Sequence, residues 1–119
     1  MLAKLDLEAG QLEQADGHLR HVIENSKDAV MQHIARLRRV ALALDRGDVV
    51  LAEQLLNIQQ TGGFESRYDE LRGDIFSARK GLAGAIDAYR RALTNSEVGS
   101  VAAQILERKL NSVSRVDSQ

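Results

Sequence analysis

A chain of 119 residues with 17 acidic and 16 basic side chains, a net charge of −1, lacks the basic surplus by which general polyanion binders hold phosphate. It has no cysteine, which excludes thiol chemistry and disulfides yet suits cytoplasm and periplasm equally. It has no run of about 18 apolar residues, and Met1-Leu2-Ala3-Lys4 lacks the charge order and length of a signal peptide. Hydrophobic residues make up 44% but aromatics only 3%, so small and aliphatic side chains must build the core. Proline is absent and no stretch alternates with period two for long, which makes the class all-α. The length predicts one domain.

In chain order, the apolar spacing predicts the last part of a helix over Met1–Ala9, about half as long as its later counterparts, then a corner at Gly10. A second helix runs from about Leu12 to Glu24 and buries Ala15, Leu19, Val22 and Ile23. Asn25-Ser26-Lys27-Asp28 supplies short polar oxygens that cap the free amides of the next helix. That helix spans about Ala29 to Asp45, with Val30, Ile34, Leu37, Ala41 and Leu44 as its apolar stripe, and Gly47 ends it. Asp48 caps a helix reaching about Gln60, and Thr61-Gly62-Gly63 stops it, because glycine adopts the left-handed conformation that other residues avoid.

From Phe64 to Leu93 the pattern is clearest. Phe64, Tyr68, Leu71, Ile75 and Ala78 recur at helical spacing, Gly81 breaks the helix, and Leu82, Ala85, Ile86, Tyr89, Ala92 and Leu93 form a second apolar face. Gly73, Ala85 and Ala92 are small where two helices must approach closely. After Thr94-Asn95-Ser96 a last helix is predicted through about Asn111, with Val98, Val101, Ala102, Ile105, Leu106 and Leu110 inward and Gln104, Glu107, Arg108 and Lys109 outward.

The corners at Gly10, Gly47 and Gly81 lie 37 and 34 residues apart, and Ala15, Ala52 and Ala85 lie 37 and 33 apart, against a tetratricopeptide period of 34. Gly73, Ala85, Tyr89 and Ala92 stand at the small and aromatic positions of that repeat, so the segment resembles a tetratricopeptide hairpin, without its Trp and closing Pro. The fold expected is a TPR-like all-α solenoid of about three helical hairpins, the first truncated: repeats over 1–25, 28–60 and 64–95, a capping helix over 97–111 with a polar outer face, a single domain over 1–113, and a flexible tail over 114–119.

Three further segments narrow the resemblance: Arg36-Leu37-Arg38-Arg39-Val40-Ala41-Leu42-Ala43-Leu44, Asp69-Glu70-Leu71-Arg72-Gly73-Asp74, and the terminal Lys109-Leu110-Asn111-Ser112-Val113-Ser114. Over residues 3 to 114 the chain resembles the YfgM-like proteins, described as ancillary subunits of the bacterial SecYEG translocon. The resemblance implies a C-terminal soluble fragment of a longer protein, in which a cytoplasmic segment and one membrane helix precede periplasmic repeats. It also implies partners: the translocon, the periplasmic chaperone PpiD and newly exported polypeptides, with a link to the Rcs envelope stress response.

Arg36, Arg38, Arg39, Arg67 and Arg72 concentrate positive charge on helices that line the concave groove of such arrays, where paired arginines bind carboxylates. Asp69, Glu70 and Asp74 compete for them at i, i+3 and i+4. Arg36, Arg39, Tyr68 and Arg72 are the expected groove residues. His18 and His21, with His33 on the next helix, have metal-ligand spacing, but no carboxylate completes a shell, so no metal or cofactor is expected. Arg46-Gly47-Asp48 and Arg72-Gly73-Asp74 spell an adhesion tripeptide only because a corner and a close-packing site need glycine. No nucleophile elbow, phosphate loop or zinc motif occurs, so no enzyme is expected, and nucleic-acid binding lacks stacking aromatics. The alternatives to the translocon reading are a generic TPR adaptor and a self-assembling domain, in which Leu2, Leu5 and Leu12, uncovered by the truncated first repeat, make a homodimer.

Overall fold

The computed structural model describes the backbone of residues 2–117 and the side chains of residues 8–116. Among the described residues there are six helices and no strand: α1 (Leu2–Asn25), α2 (Ala29–Asp45), α3 (Val49–Leu56), α4 (Glu65–Ala78), α5 (Leu82–Thr94) and α6 (Val101–Asp117). The chain is all-α and TPR-like, built from helical hairpins. They form two compact units, Met1–Leu55 and Leu56–Gln119, each described by itself. Among the described residues no helix is long and apolar enough to cross a membrane.

In the first unit, α1 packs on α2. The corner expected at Gly10 is absent, and α1 runs unbroken through it. Glu8, Ala9, Gln11, Leu12, Glu13 and Gln14 are strong helix formers, and one interior glycine costs only about 1 kcal/mol. A Cβ added at Gly10 would meet nothing within 4 Å, so no close approach requires the glycine either.

The face that α1 turns inward also differs from the expected one. Ala15 is exposed, Leu19, Val22 and Ile23 are half-buried, and Asp16 is buried instead. Leu12 is 38% exposed; the side chains of Leu2 and Leu5 lie outside the described residues.

Asp28 caps α2, its Oδ1 accepting from the amides of Val30 at 2.9 Å and Met31 at 3.4 Å. The buried face of α2 is Ala35, Leu37, Val40 and Ala43. Of the expected stripe only Leu37 is fully buried; Val30 is 51% exposed, and Ile34, Ala41 and Leu44 are half-buried. The helix is apolar around most of its circumference, so the periodicity alone does not choose its buried face. Gly47 takes the left-handed conformation at φ 76° and closes α2, its amide donating to Leu44 O at 3.0 Å. Asp48 caps α3 by accepting from Leu51 N at 3.1 Å. This helix ends at Leu56 rather than near Gln60, with Ala52, Leu55 and Leu56 buried.

In the second unit, α4 packs on α5 and α5 on α6. Tyr68, Leu71 and Ile75 of α4 and Ala85, Tyr89 and Ala92 of α5 are buried, as their spacing predicts; Ala78 is exposed. Gly73 permits this approach, because a Cβ there would lie 2.4 Å from Tyr89 Cε1. At the corner the left-handed residue is Lys80, at φ 60°. Gly81 precedes α5 and donates to Phe76 O at 2.8 Å.

The last helix departs most from expectation. It begins at Val101, where Ser100 Oγ accepts from Ala103 N at 3.0 Å, and continues to Asp117. Ala103, Leu106 and Val113 are buried; Leu106 and Val113 form one cluster with Ala85, Tyr89 and Ala92 of α5, against which Leu82, Ile86, Leu93 and Leu110 pack half-buried. Val98 at 99%, Val101 at 72% and Ile105 at 41% exposure face water, although the spacing placed them inward, and Ala102 is exposed too. Lys109, expected outside, points in.

Candidate functional site

The four residues expected to line a groove are each engaged within their own unit. On α2, Arg36 donates from Nη1 to Leu55 O at 3.1 Å, a cation at the carbonyl end of α3, where the helix dipole favours it. Arg39 grips Asp16 with two bonds, Nε to Oδ1 at 2.7 Å and Nη2 to Oδ2 at 3.4 Å. Arg20 Nη2 reaches the same Oδ2 at 3.2 Å. The Arg39 guanidinium, helped by Arg20, outweighs burial and holds the Asp16 carboxyl below its ordinary range.

On α4, Tyr68 is fully buried, with the Arg72 guanidinium 6.0 Å from its ring centroid. Arg72 donates to Asp69 Oδ1 at 3.2 Å and to Leu56 O at 3.1 Å. A guanidinium has five N–H donors, so Arg36 and Arg72 can each take a further acceptor beside these bonds. Of the competing carboxylates, Asp69 pairs with Arg72, and Glu70 pairs with Arg67 at 2.7 Å. Asp74 pairs with no arginine among the described residues.

Asp74 belongs to a polar cluster that sequence reasoning missed. Lys109 Nζ reaches Glu70 Oε2 at 2.7 Å and both Asp74 oxygens at 3.0 Å, and lies 5.9 Å from the Tyr89 ring centroid. Tyr89 Oη donates to Asp74 Oδ1 at 2.6 Å, and Ser77 Oγ stands 3.3 Å from Tyr89 Oη. Burial and the Asp74 carboxylate push the Tyr89 hydroxyl far above its ordinary value, which makes it a fixed donor. Burial alone would raise Glu70 and lower Lys109; their mutual bond, with Arg67 on one side and Asp74 on the other, reverses both, so Glu70 is held down and Lys109 up. The missed signal is angular: at about 100° per residue, Lys109 lies about 40° around the helix from Val113, at the edge of the buried face.

These directions predict a pH profile. Asp16 and Glu70 have lowered folded values, so their stabilisation is present above the unfolded carboxylate range and is lost as pH falls through the folded values. Lys109, being raised, contributes below its ordinary value and loses that contribution as pH rises through the raised one. Thermal melts should therefore show a neutral plateau and a fall in Tm below about pH 5. A Tm that rises on acidification would contradict this.

His18 and His21 are exposed and His33 half-buried. His21 Nδ1 sits 3.1 Å from Asn25 Nδ2. Among the described residues no group of three or more metal-binding side chains is brought together.

Residues 1–115 match the family described as tetratricopeptide repeat-like domain. Among curated proteins, the ancillary SecYEG translocon subunit of Neisseria gonorrhoeae (strain ATCC 700825 / FA 1090) is 31% identical over 115 residues, covering 95% of this chain and 54% of that protein. The chain thus spans about half the length of the curated relative it matches. No solved structure matches significantly.

Proposed function

The chain belongs to the tetratricopeptide repeat-like domain family, whose domains are protein-interaction modules, and on that premise we propose that it docks polypeptide partners beside the SecYEG translocon. The observation that carries this reading is the 31% identity, sustained over 115 residues, with an ancillary subunit of that translocon. The proposed place is the periplasmic side of the inner membrane, with the anchor supplied by sequence outside this chain. The proposed partners are the translocon, the chaperone PpiD and exported polypeptides, and the Rcs link rests on the same placement. The role is binding, without catalysis.

Arg36, Arg39, Tyr68 and Arg72 are the proposed groove residues, in two different ways. Arg39 and Tyr68 are committed to the packing and shape the surface from beneath. Arg36 and Arg72 retain donor capacity and receive acidic side chains or a terminal carboxylate. The test is to titrate the chain, and its Arg36→Gln/Arg72→Gln variant, against purified SecYEG in nanodiscs. Saturable binding, weakened about tenfold or more in the variant while its helical circular dichroism is unchanged, is expected; tenfold corresponds to about 1.4 kcal/mol. No binding by the parent chain removes the translocon reading. Equal affinity of both removes the two arginines from the surface.

A further inference from the structure

Although the net charge of the chain is −1, the end of the second unit at which α4 turns into α5 is basic and holds an aromatic ring in water. The turn closes as a Schellman motif, with Gly81 N donating to Phe76 O at 2.8 Å and Lys80 N to Ser77 O at 3.1 Å. Its left-handed position, which glycine takes freely, is held instead by an exposed Lys80 at φ 60°. Such strain marks a residue kept for its side chain. Beside it, the Phe76 ring lies on the bare backbone of Gly81 and Gly84, where added Cβ atoms would stand 3.3 and 2.5 Å from its Cδ1. The ring is 42% exposed.

Helix α6 adds to the same end. It starts beyond the far end of α5, and Lys109 meets Glu70 and Asp74, so it runs alongside α4 in the same direction. Val116 lies about two turns past Lys109, as Lys80 lies nearly two turns past Asp74. Exposed Arg115 and Val116 therefore reach the level of exposed Arg79 and Lys80. No acidic residue occurs from Ile75 to Ile86 or from Arg108 to Val116, stretches bounded by Asp74, Asp87, Glu107 and Asp117. Of these, Asp74 is paired with Lys109 and Asp87 with Arg91.

We propose that this end is a docking surface for an anionic lipid bilayer, with Phe76 and Val116 entering the headgroup region and Arg79, Lys80 and Arg115 meeting lipid phosphates. The occupant follows from charge and shape. Cations around an apolar ring complement an anionic interface, and a helix corner presents itself to a plane rather than enclosing a peptide. Cations at the ends of α4 and α6 also suit the helix dipoles, but a dipole gives no reason for Phe76 to stand in water. This inference does not rest on the translocon reading.

The chain has no tryptophan, so Phe76→Trp places one fluorescent reporter at the surface while keeping an aromatic ring there. Vesicles of phosphatidylglycerol and phosphatidylethanolamine should shift its emission to the blue, saturably, and neutral phosphatidylcholine vesicles should leave it unchanged. Lys80→Gly, made in the same background, removes a charge and relieves the left-handed strain. Its thermal stability should hold or rise, while its affinity for the anionic vesicles falls about fivefold, as expected for one cation at such a surface. Flotation of the unsubstituted chain with both kinds of vesicle repeats the comparison. Absence of the blue shift and of flotation with anionic vesicles overturns the proposal, as does equal binding to neutral ones or unchanged affinity in Lys80→Gly. A shift produced by polyglutamate and not by vesicles would assign the surface to an acidic polypeptide and overturn it too.

Discussion

Gly73→Ala lowers the stability of the second unit by about 2 kcal/mol, within the 1 to 3 kcal/mol typical of overpacked cores. The added Cβ would sit 2.4 Å from Cε1, 2.5 Å from Cδ1 and 2.9 Å from Cζ of Tyr89, and that ring has nowhere to go. It is 3% exposed, its hydroxyl is bonded to Asp74, and Lys109 stands near its face. The better helix propensity of alanine returns only about 1 kcal/mol. Gly84→Ala is the control. A Cβ there would lie 2.5 Å from Phe76 Cδ1, but Phe76 is 42% exposed and can swing into water, so that variant should be near neutral. The sequence has two tyrosines and no tryptophan, and Tyr68 and Tyr89 both lie in the second unit. Tyrosine emission during urea unfolding therefore reports this unit directly. Equal midpoints for Gly73→Ala and the parent would mean that α4 and α5 do not approach as described.

Arg39→Met has the largest effect expected in the first unit, a loss of about 2 to 3 kcal/mol. Asp16 is 7% exposed, and removing the partner of a buried charge typically costs about 3 to 5 kcal/mol. Arg20, which remains within 3.2 Å of Asp16 but is itself 55% exposed, moderates the loss. The cause is the stranded carboxylate, so Arg39→Met combined with Asp16→Leu should recover most of the stability, because an apolar pair of similar volume leaves nothing unpaired. Denaturation followed by far-ultraviolet circular dichroism checks both variants. A double variant as unstable as the sum of the two single ones would show that the pair is not what holds α1 to α2.

The hairpin of α4 and α5 was the most legible part of the sequence. Its apolar stripes, its small residues and its aromatic Tyr89 all belong to one repeat pattern, and all but the exposed Ala78 are buried or half-buried. Where legibility failed, two signals competed. Gly10 and Gly47 look alike as letters, yet only Gly47 closes a helix in a left-handed conformation, while Gly10 sits among helix formers with no partner near it. At the third corner the left-handed position falls on Lys80, not Gly81. For α2 and α6 the apolar residues run too far around the helix for periodicity to choose a face. In α6 the edge of the face turned inward also carries Lys109, whose acceptors lie 35 and 39 residues earlier. A pairing that remote leaves no local signature, and for the same reason Asp16 was invisible as the acceptor of Arg39, 23 residues on.

The central claim, that this chain is a polypeptide-docking module, is tested most directly by titrating isotopically labelled chain with an unfolded, acidic segment of an exported protein and following its amide resonances. The account predicts saturable shifts confined to α2 around Arg36 and to α4 around Arg72. Absence of shifts at millimolar peptide, or weak shifts scattered evenly over all six helices, would contradict it.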